Sequence, residues 1–220
     1  MQLPQSNAAY PKRVSFGRYV LTRLKRAKIS DLADSVETKN AQVKAAGRAW
    51  DDADETIQDA VANRDAADDA LDTTAQDFRF SLAGRSRQAA TEAPYTDIFY
   101  KGIDYYIRAP LDEEVSRYQE LITRIEEHLP KEDALRQEVV PVLQAQLKDF
   151  QEADTALSNA RTQEALARTK LLSLQDAWDD LMEKTHAALV QKINKTKAEK
   201  FFPKSNRSRN DKDTTTNNEP

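Results

Sequence analysis

Apolar residues recur along two stretches of this chain with the 3.6-residue period of a helix, and little interrupts either stretch. Between Asp31 and about Gln88 there is no proline; heptad position a reads Val36, Val43, Trp50, Ile57, Arg64, Leu71 and Phe78, and d reads Lys39, Ala46, Ala53, Ala60, Ala67, Thr74 and Ser81. The run from Glu132 to Phe202 repeats this grammar, with Leu143, Phe150, Leu157, Glu164, Leu171 and Trp178 at a, and Val139, Gln146, Ala153, Ala160, Ala167, Leu174, Leu181 and Ala188 at d. Large side chains set against small ones let two helices approach closely, and in an antiparallel pair a layers meet d layers. The pattern predicts an all-α fold, an elongated antiparallel coiled-coil-like helical hairpin. At ~1.5 Å rise per residue each long helix would measure roughly 90 Å. Pro141 falls early in the second helix, where it predicts a kink or a separate short first piece.

The e row of the second helix is apolar at its ends (Val140 and Leu147; Met182 and Leu189) and polar between them (Asp154, Arg161, Arg168, Gln175). A third helix is therefore expected at each end and none in the middle. Val115, Tyr118, Leu121, Ile122, Ile125 and Leu129 supply one, over about 112–128, which the turn at Pro130 folds back on 139–150. Val14, Tyr19, Val20, Leu24 and Ile29 supply the other, over about 13–28, within reach of Met182 and Leu189. The expected layout is a single elongated helical domain over 11–202 with helices at about 13–28, 31–88, 112–128 and 132–202, short extra helices making three-helix bundles at both ends, and an aromatic connection over 94–110. Residues 1–10 read as a flexible start and 203–220, which lack apolar side chains, as a disordered tail. Arg64 and Glu164 are the charged residues of the middle a positions and have opposite sign. If Phe78 packs over Ala153 and Trp178 over Ala53, they meet within a turn and set the register as an ion pair; the alternative is that each snorkels to water alone.

The long Ala-rich helix, the aromatic segment DIFYKGIDYYIRAPL over 97–111, the short helix closing on Leu129-Pro130 and the second long helix ending in Phe201-Phe202-Pro203 resemble the layout of a group of bacterial all-helical hairpin proteins without an assigned activity. The likeness covers residues 31–203. It implies the antiparallel hairpin and brings no activity, cofactor or site residue with it.

Composition thins the picture. Leu, Ile, Val and Phe together number 44 of 220 residues, so a thick core is not expected, and four Gly with eight Pro are too few for the turns of a sandwich or a doubly wound sheet. The absence of Cys removes thiolate metal sites and a Cys nucleophile. The glycines are isolated, so no phosphate-cradling loop forms, and no G-x-S-x-G is present. Glu183 and His186 make an E-x-x-H, but a di-iron bundle needs a second copy, and the heptad phase sets both on the solvated side. The carboxylates of 51–55, Asp68-Asp69 and Asp179-Asp180 read as solvated acidic faces. No catalytic residue, cofactor or metal is expected, and the chain reads as non-enzymatic. With neither a leader-like start nor an apolar run long enough to cross a membrane, a cytoplasmic protein is expected.

Charge changes the picture most. The net −4 hides seven cations without an acid in residues 1–30, thirteen acids against four cations in 31–78, and nine cations against four acids in 184–220. The hairpin would bring both basic ends to one pole, built from Lys12, Arg13, Arg18, Arg23, Lys25, Arg26 and Lys28 beside Lys192, Lys195, Lys197, Lys200 and Lys204. Such a pole can bind phosphate backbones, anionic headgroups or the acidic shaft of a second copy. A second candidate surface is Tyr95, Phe99, Tyr100, Tyr105 and Tyr106, interleaved with Lys101 and Arg108, as a partner contact or as the cap of a bundle. The expectation is a structural or interaction protein, self-associating as a homo-oligomer through its rod and basic pole. The alternative is a peripheral module that binds nucleic acid or an anionic membrane surface with the basic amino-terminal helix and carboxy-terminal lysines.

Overall fold

The computed structural model describes residues 1–5 and 7–203. Its helices are α1 (Tyr10–Arg26), α2 (Ser30–Ala83), α3 (Tyr95–Ile98), α4 (Asp104–Ile107), α5 (Leu111–His128), α6 (Ala134–Ile193) and α7 (Lys195–Ala198), with 3-10 turns at Ala89–Thr91 and Glu199–Phe201. The described residues contain no strand. The fold is all-α and antiparallel: the end of α2 (Leu71 to Leu82) packs with the start of α6 (Val139 to Phe150), and the start of α2 (Ala33 to Ala46) with its end (Leu171 to Leu189).

Both long helices stop short of their expected ends. Gly84 closes α2 by donating its N–H to Phe80 at 2.9 Å, so the helix ends at Ala83 instead of about 88. Asn194 breaks α6 eight residues before Phe202: it adopts φ 76°, a conformation Asn tolerates better than most residues, and its side chain accepts the Lys197 N–H at 3.1 Å to begin α7. The aromatic connection is itself partly helical, forming α3 and α4. Pro141 is accommodated inside α6. Asp133 caps α6 by accepting the N–H groups of Leu135 (2.9 Å) and Arg136 (3.3 Å), and it also pairs with Arg85, tying the segment after α2 to the start of α6. That arginine and the two N–H groups hold the Asp133 carboxyl below the usual carboxylate range.

The chain divides into two compact units, Met1–Asp51 with Leu166 onward (unit 1) and Asp52–Ala165 (unit 2), and both long helices contribute to each. In unit 2, Leu71, Phe78 and Leu82 of α2 pack with Tyr118, Leu121, Ile122 and Ile125 of α5 and Leu143, Leu147 and Phe150 of α6, under a lid of Ile98, Phe99 and Tyr106. In unit 1, Val20 and Leu24 of α1 pack with Val36 and Val43 of α2 and Trp178, Met182 and Leu189 of α6, closed by Phe202. Each side chain so buried contributes about 1.5–3 kcal/mol. The e row of α6 follows its pattern, with Val140, Leu147, Met182 and Leu189 buried and Asp154, Arg161 and Arg168 exposed, except at Gln175, which is buried. Tyr19 departs from the reading of α1; the buried face runs Arg13, Gly17, Val20, Leu24. Two glycines set this packing. A Cβ on Gly17 would collide with Asn40 and crowd the Trp178 indole, and one on Gly47 would enter the Tyr10 ring.

The register differs from the expectation. The Trp178 indole donates to Asn40 at 3.3 Å, and Phe78 shares a groove with Val139, so facing residue numbers add to about 218 instead of 231. The difference is close to two heptads, a slide that returns every a and d row to an equivalent partner. Arg64 therefore faces the region of residue 154, not Glu164, and the proposed register pair is corrected. Its guanidinium lies against Asp65 at 2.7 Å, and Glu164 is half-buried elsewhere along α6.

Candidate functional site

The basic residues of unit 1 lie on two segments that touch. α1 opens with Pro11 in its first turn, where the missing N–H costs nothing, carries no acid there, and ends in Arg23, Lys25 and Arg26. It closes through Lys28 at φ 57°, whose N–H reaches the Lys25 carbonyl while Ile29 reaches Leu24, both at 3.1 Å. This is a Schellman closure with lysine at the site that glycine normally fills. After α6 the chain folds back, and the turn Glu199–Phe201 packs on α1. Phe202 lies 6.2 Å from the Phe16 ring, which meets Trp178 edge-on at 5.7 Å.

Of the residues assigned to the pole, Lys12, Arg18, Arg26, Lys28, Lys192, Lys195, Lys197 and Lys200 are exposed and Arg23 is half-buried. None of these nine has a carboxylate partner among the described residues. Two others are corrected. Arg13 is 1% exposed, grips both Asp179 oxygens at 2.8 and 3.1 Å and donates to the Ala8 carbonyl at 2.8 Å. It anchors α1 and takes no outside anion; a lone Arg on an amphipathic helix is read as solvated unless its buried partner, here 166 residues away, is known. Lys25 pairs with Glu37 at 2.7 Å on an exposed surface, which partly neutralises it at little gain in stability. Lys204 lies outside the described residues, as does the expected disordered tail from that residue on.

The aromatic segment is mostly a cap. Phe99 and Tyr106 are buried, so neither offers a partner contact, and the Tyr106 hydroxyl donates to the Ile98 carbonyl at 3.1 Å. The Tyr95 ring packs 5.3 Å from Phe99, and its hydroxyl accepts from Arg79. Tyr100 and Tyr105 are more open. Both hydroxyls donate to Glu120, at 2.8 and 3.0 Å, and Arg124 and Arg117 cover the two rings at 3.6 and 4.5 Å. Burial works against ionised Glu120, but the donors Tyr100, Arg124 and Tyr105 outweigh it and hold its pKa down. Cation, ring and carboxylate thus satisfy one another within unit 2.

His186, expected on the solvated side, packs edge-on against Phe202 at 5.4 Å, with Nε2 buried and lacking a partner among the described residues. Burial, and then the positive amino terminus, lower its pKa. The heptad phase could not reveal this, because the covering group arrives from beyond the break at Asn194.

Sequence reasoning also missed a buried acidic cluster in unit 2. Glu114 of α5 is 2% exposed, and its Oε1 finds no donor among the described residues. Asp68, Asp72 and Arg64 of α2 act on it, and Tyr118, fully buried one turn along α5, donates to Asp72 at 2.6 Å. Burial, then Asp68 and Asp72, push the Glu114 carboxyl far above the usual range. The signal was present: Asp68 continues the α2 row Ala75, Leu82, which faces α5. Among the described residues no three His, Asp or Glu side chains gather as a metal cradle, and no helix is long and apolar enough to cross a membrane. No protein-family model matches the chain, and neither a curated protein nor a solved structure is significantly similar to it.

Proposed function

We propose that this chain is a non-catalytic, cytoplasmic interaction protein that binds a polyanion through the basic face of unit 1. The observation that carries the reading is the set of nine cations without carboxylate partners on α1, the end of α6 and the segment after it. Clustered cations that lack internal partners raise the local potential and attract phosphates, and each phosphate neutralised releases counterions. Affinity for duplex DNA should therefore fall steeply from low to moderate salt, with a log–log slope near −0.9 per phosphate contacted. Lys12→Glu with Arg26→Glu should flatten that slope by about two contacts. A slope near zero, or no binding of single-stranded or duplex nucleic acid or of anionic vesicles at low salt, removes the reading.

Self-association is a second reading, favoured by a specific observation. Leu166 and Leu172 of α6 are 59% and 51% exposed, and α2 exposes Asp52, Asp54 and Glu55 as a surface that a second copy's basic face could meet. Oligomers that dissolve as salt rises, from a protein indifferent to DNA, would favour this homo-oligomer reading.

A further inference from the structure

The covered faces of unit 1 narrow the class of polyanion. A helix that lies on a membrane surface buries an apolar face among the headgroups. α1 has no such face to offer: Val20 and Leu24 are fully buried in its own core, and Gly17 abuts Asn40 and Trp178. Leu24 can neither insert into lipid nor be replaced by Glu without breaking that core.

One large ring nonetheless stays outside. Tyr19 is 44% exposed, and its hydroxyl has no partner among the described residues. It sits in the row Lys12, Ser15, Tyr19, Arg23, Arg26, at steps of three and four that share one helix face. Arg23 and Arg26 follow it at roughly 6 and 10 Å along the axis, and Lys12 precedes it by about 10 Å. A ring presented between cations suits a ligand that offers flat bases and phosphates together. Duplex DNA hides its bases in the stack, and a lipid headgroup has none. Single strands combine both, and their binding sites pair a cationic track with aromatic platforms.

We infer that the outer row of α1 binds single-stranded nucleic acid, with a base stacked on Tyr19 and phosphates held by Lys12, Arg23 and Arg26. The inference rests on the polyanion reading above. Its test uses the full chain with three probes at low salt: a short labelled oligothymidylate, a duplex of equal length, and vesicles containing phosphatidylserine. The oligothymidylate should bind most tightly. Tyr19→Ala, at an exposed position, should weaken that binding roughly tenfold while leaving duplex binding unchanged, and Tyr19→Phe should restore it. If Tyr19→Ala leaves the oligothymidylate unaffected, or if duplex or vesicles bind better than the single strand, the inference is overturned while the polyanion reading stands. If none of the three probes binds, the polyanion reading falls with it.

Discussion

Glu114 is held as the neutral acid, because ionising it would place a third negative charge beside Asp68 and Asp72, away from water and without a donor on Oε1. The groups that act on it are Asp68 and Asp72, which disfavour its charge, and Arg64, which favours it, all of α2, with Tyr118 alongside. Its pKa is pushed up from 4.5 to about 9, so the folded state holds a proton that the unfolded chain releases. Stability from this group is fully present below about pH 4.5 and declines as pH rises toward 9, by up to about 1.4 kcal/mol per unit. Glu114→Gln keeps the shape of the neutral acid. It should raise stability at pH 8 and flatten the decline, as followed by urea denaturation across pH; a variant as pH-dependent as the parent would mean that Glu114 is ionised. At this scale the sequence is least legible. Arg13 and Glu114 each look solvated from their own helix, and their burial depends on groups brought in from elsewhere.

The elements themselves are legible, since apolar periodicity and the turn at Pro130 place α5 and the starts of α2 and α6 to within two residues, while the ends of α2 and α6 fall five and nine residues early. What periodicity leaves open is axial register. Sliding by two heptads exchanges equivalent large and small layers, so the choice falls to features outside the repeat: the Trp178–Asn40 bond, the close approaches at Gly17 and Gly47, and the Arg85–Asp133 pair. The break at Asn194 was equally silent, because one Asn within a polar run gives no sign of positive φ. Lys28 offers a test at this scale. A left-handed lysine costs about 1–2 kcal/mol, whereas glycine would give up about 0.5–1 kcal/mol to chain entropy. Lys28→Gly should therefore stabilise unit 1 by roughly 0.5–1 kcal/mol, seen as a higher denaturation midpoint with unchanged slope, although it removes one of the cations.

For the molecule as a whole, two groups, one in each unit, answer pH in opposite senses. His186 in unit 1 has a lowered pKa, so its contribution is present above about 6.5 and is lost as pH falls. Glu114 in unit 2 loses its contribution as pH rises. Both tryptophans, Trp50 and Trp178, belong to unit 1, so indole fluorescence follows that unit while circular dichroism follows all helices. Under denaturant at alkaline pH, helicity should fall before fluorescence changes; coincident curves there would mean that the units unfold as one. The charge asymmetry along the chain was plain from the sequence. So was a bundle at each end, from the e row of α6; the boundaries of the units at Asp51 and Leu166 were not, because both long helices run through them without a break in pattern.

That partition also bears on how the chain is made. Unit 2 is one uninterrupted stretch, Asp52–Ala165, whereas unit 1 joins residues up to Asp51 with those from Leu166 onward. A ribosome working from the amino terminus delivers all of unit 2 while α1 and the start of α2 still lack Trp178, Met182, Leu189 and the Asp179 that Arg13 requires. Unit 2 can therefore fold during synthesis, and the basic helix must wait for the last quarter of the chain. Nascent chains arrested once Ala165 has emerged should resist protease over 52–165 and be cut within 1–51, and the reverse order would place the folding nucleus in unit 1.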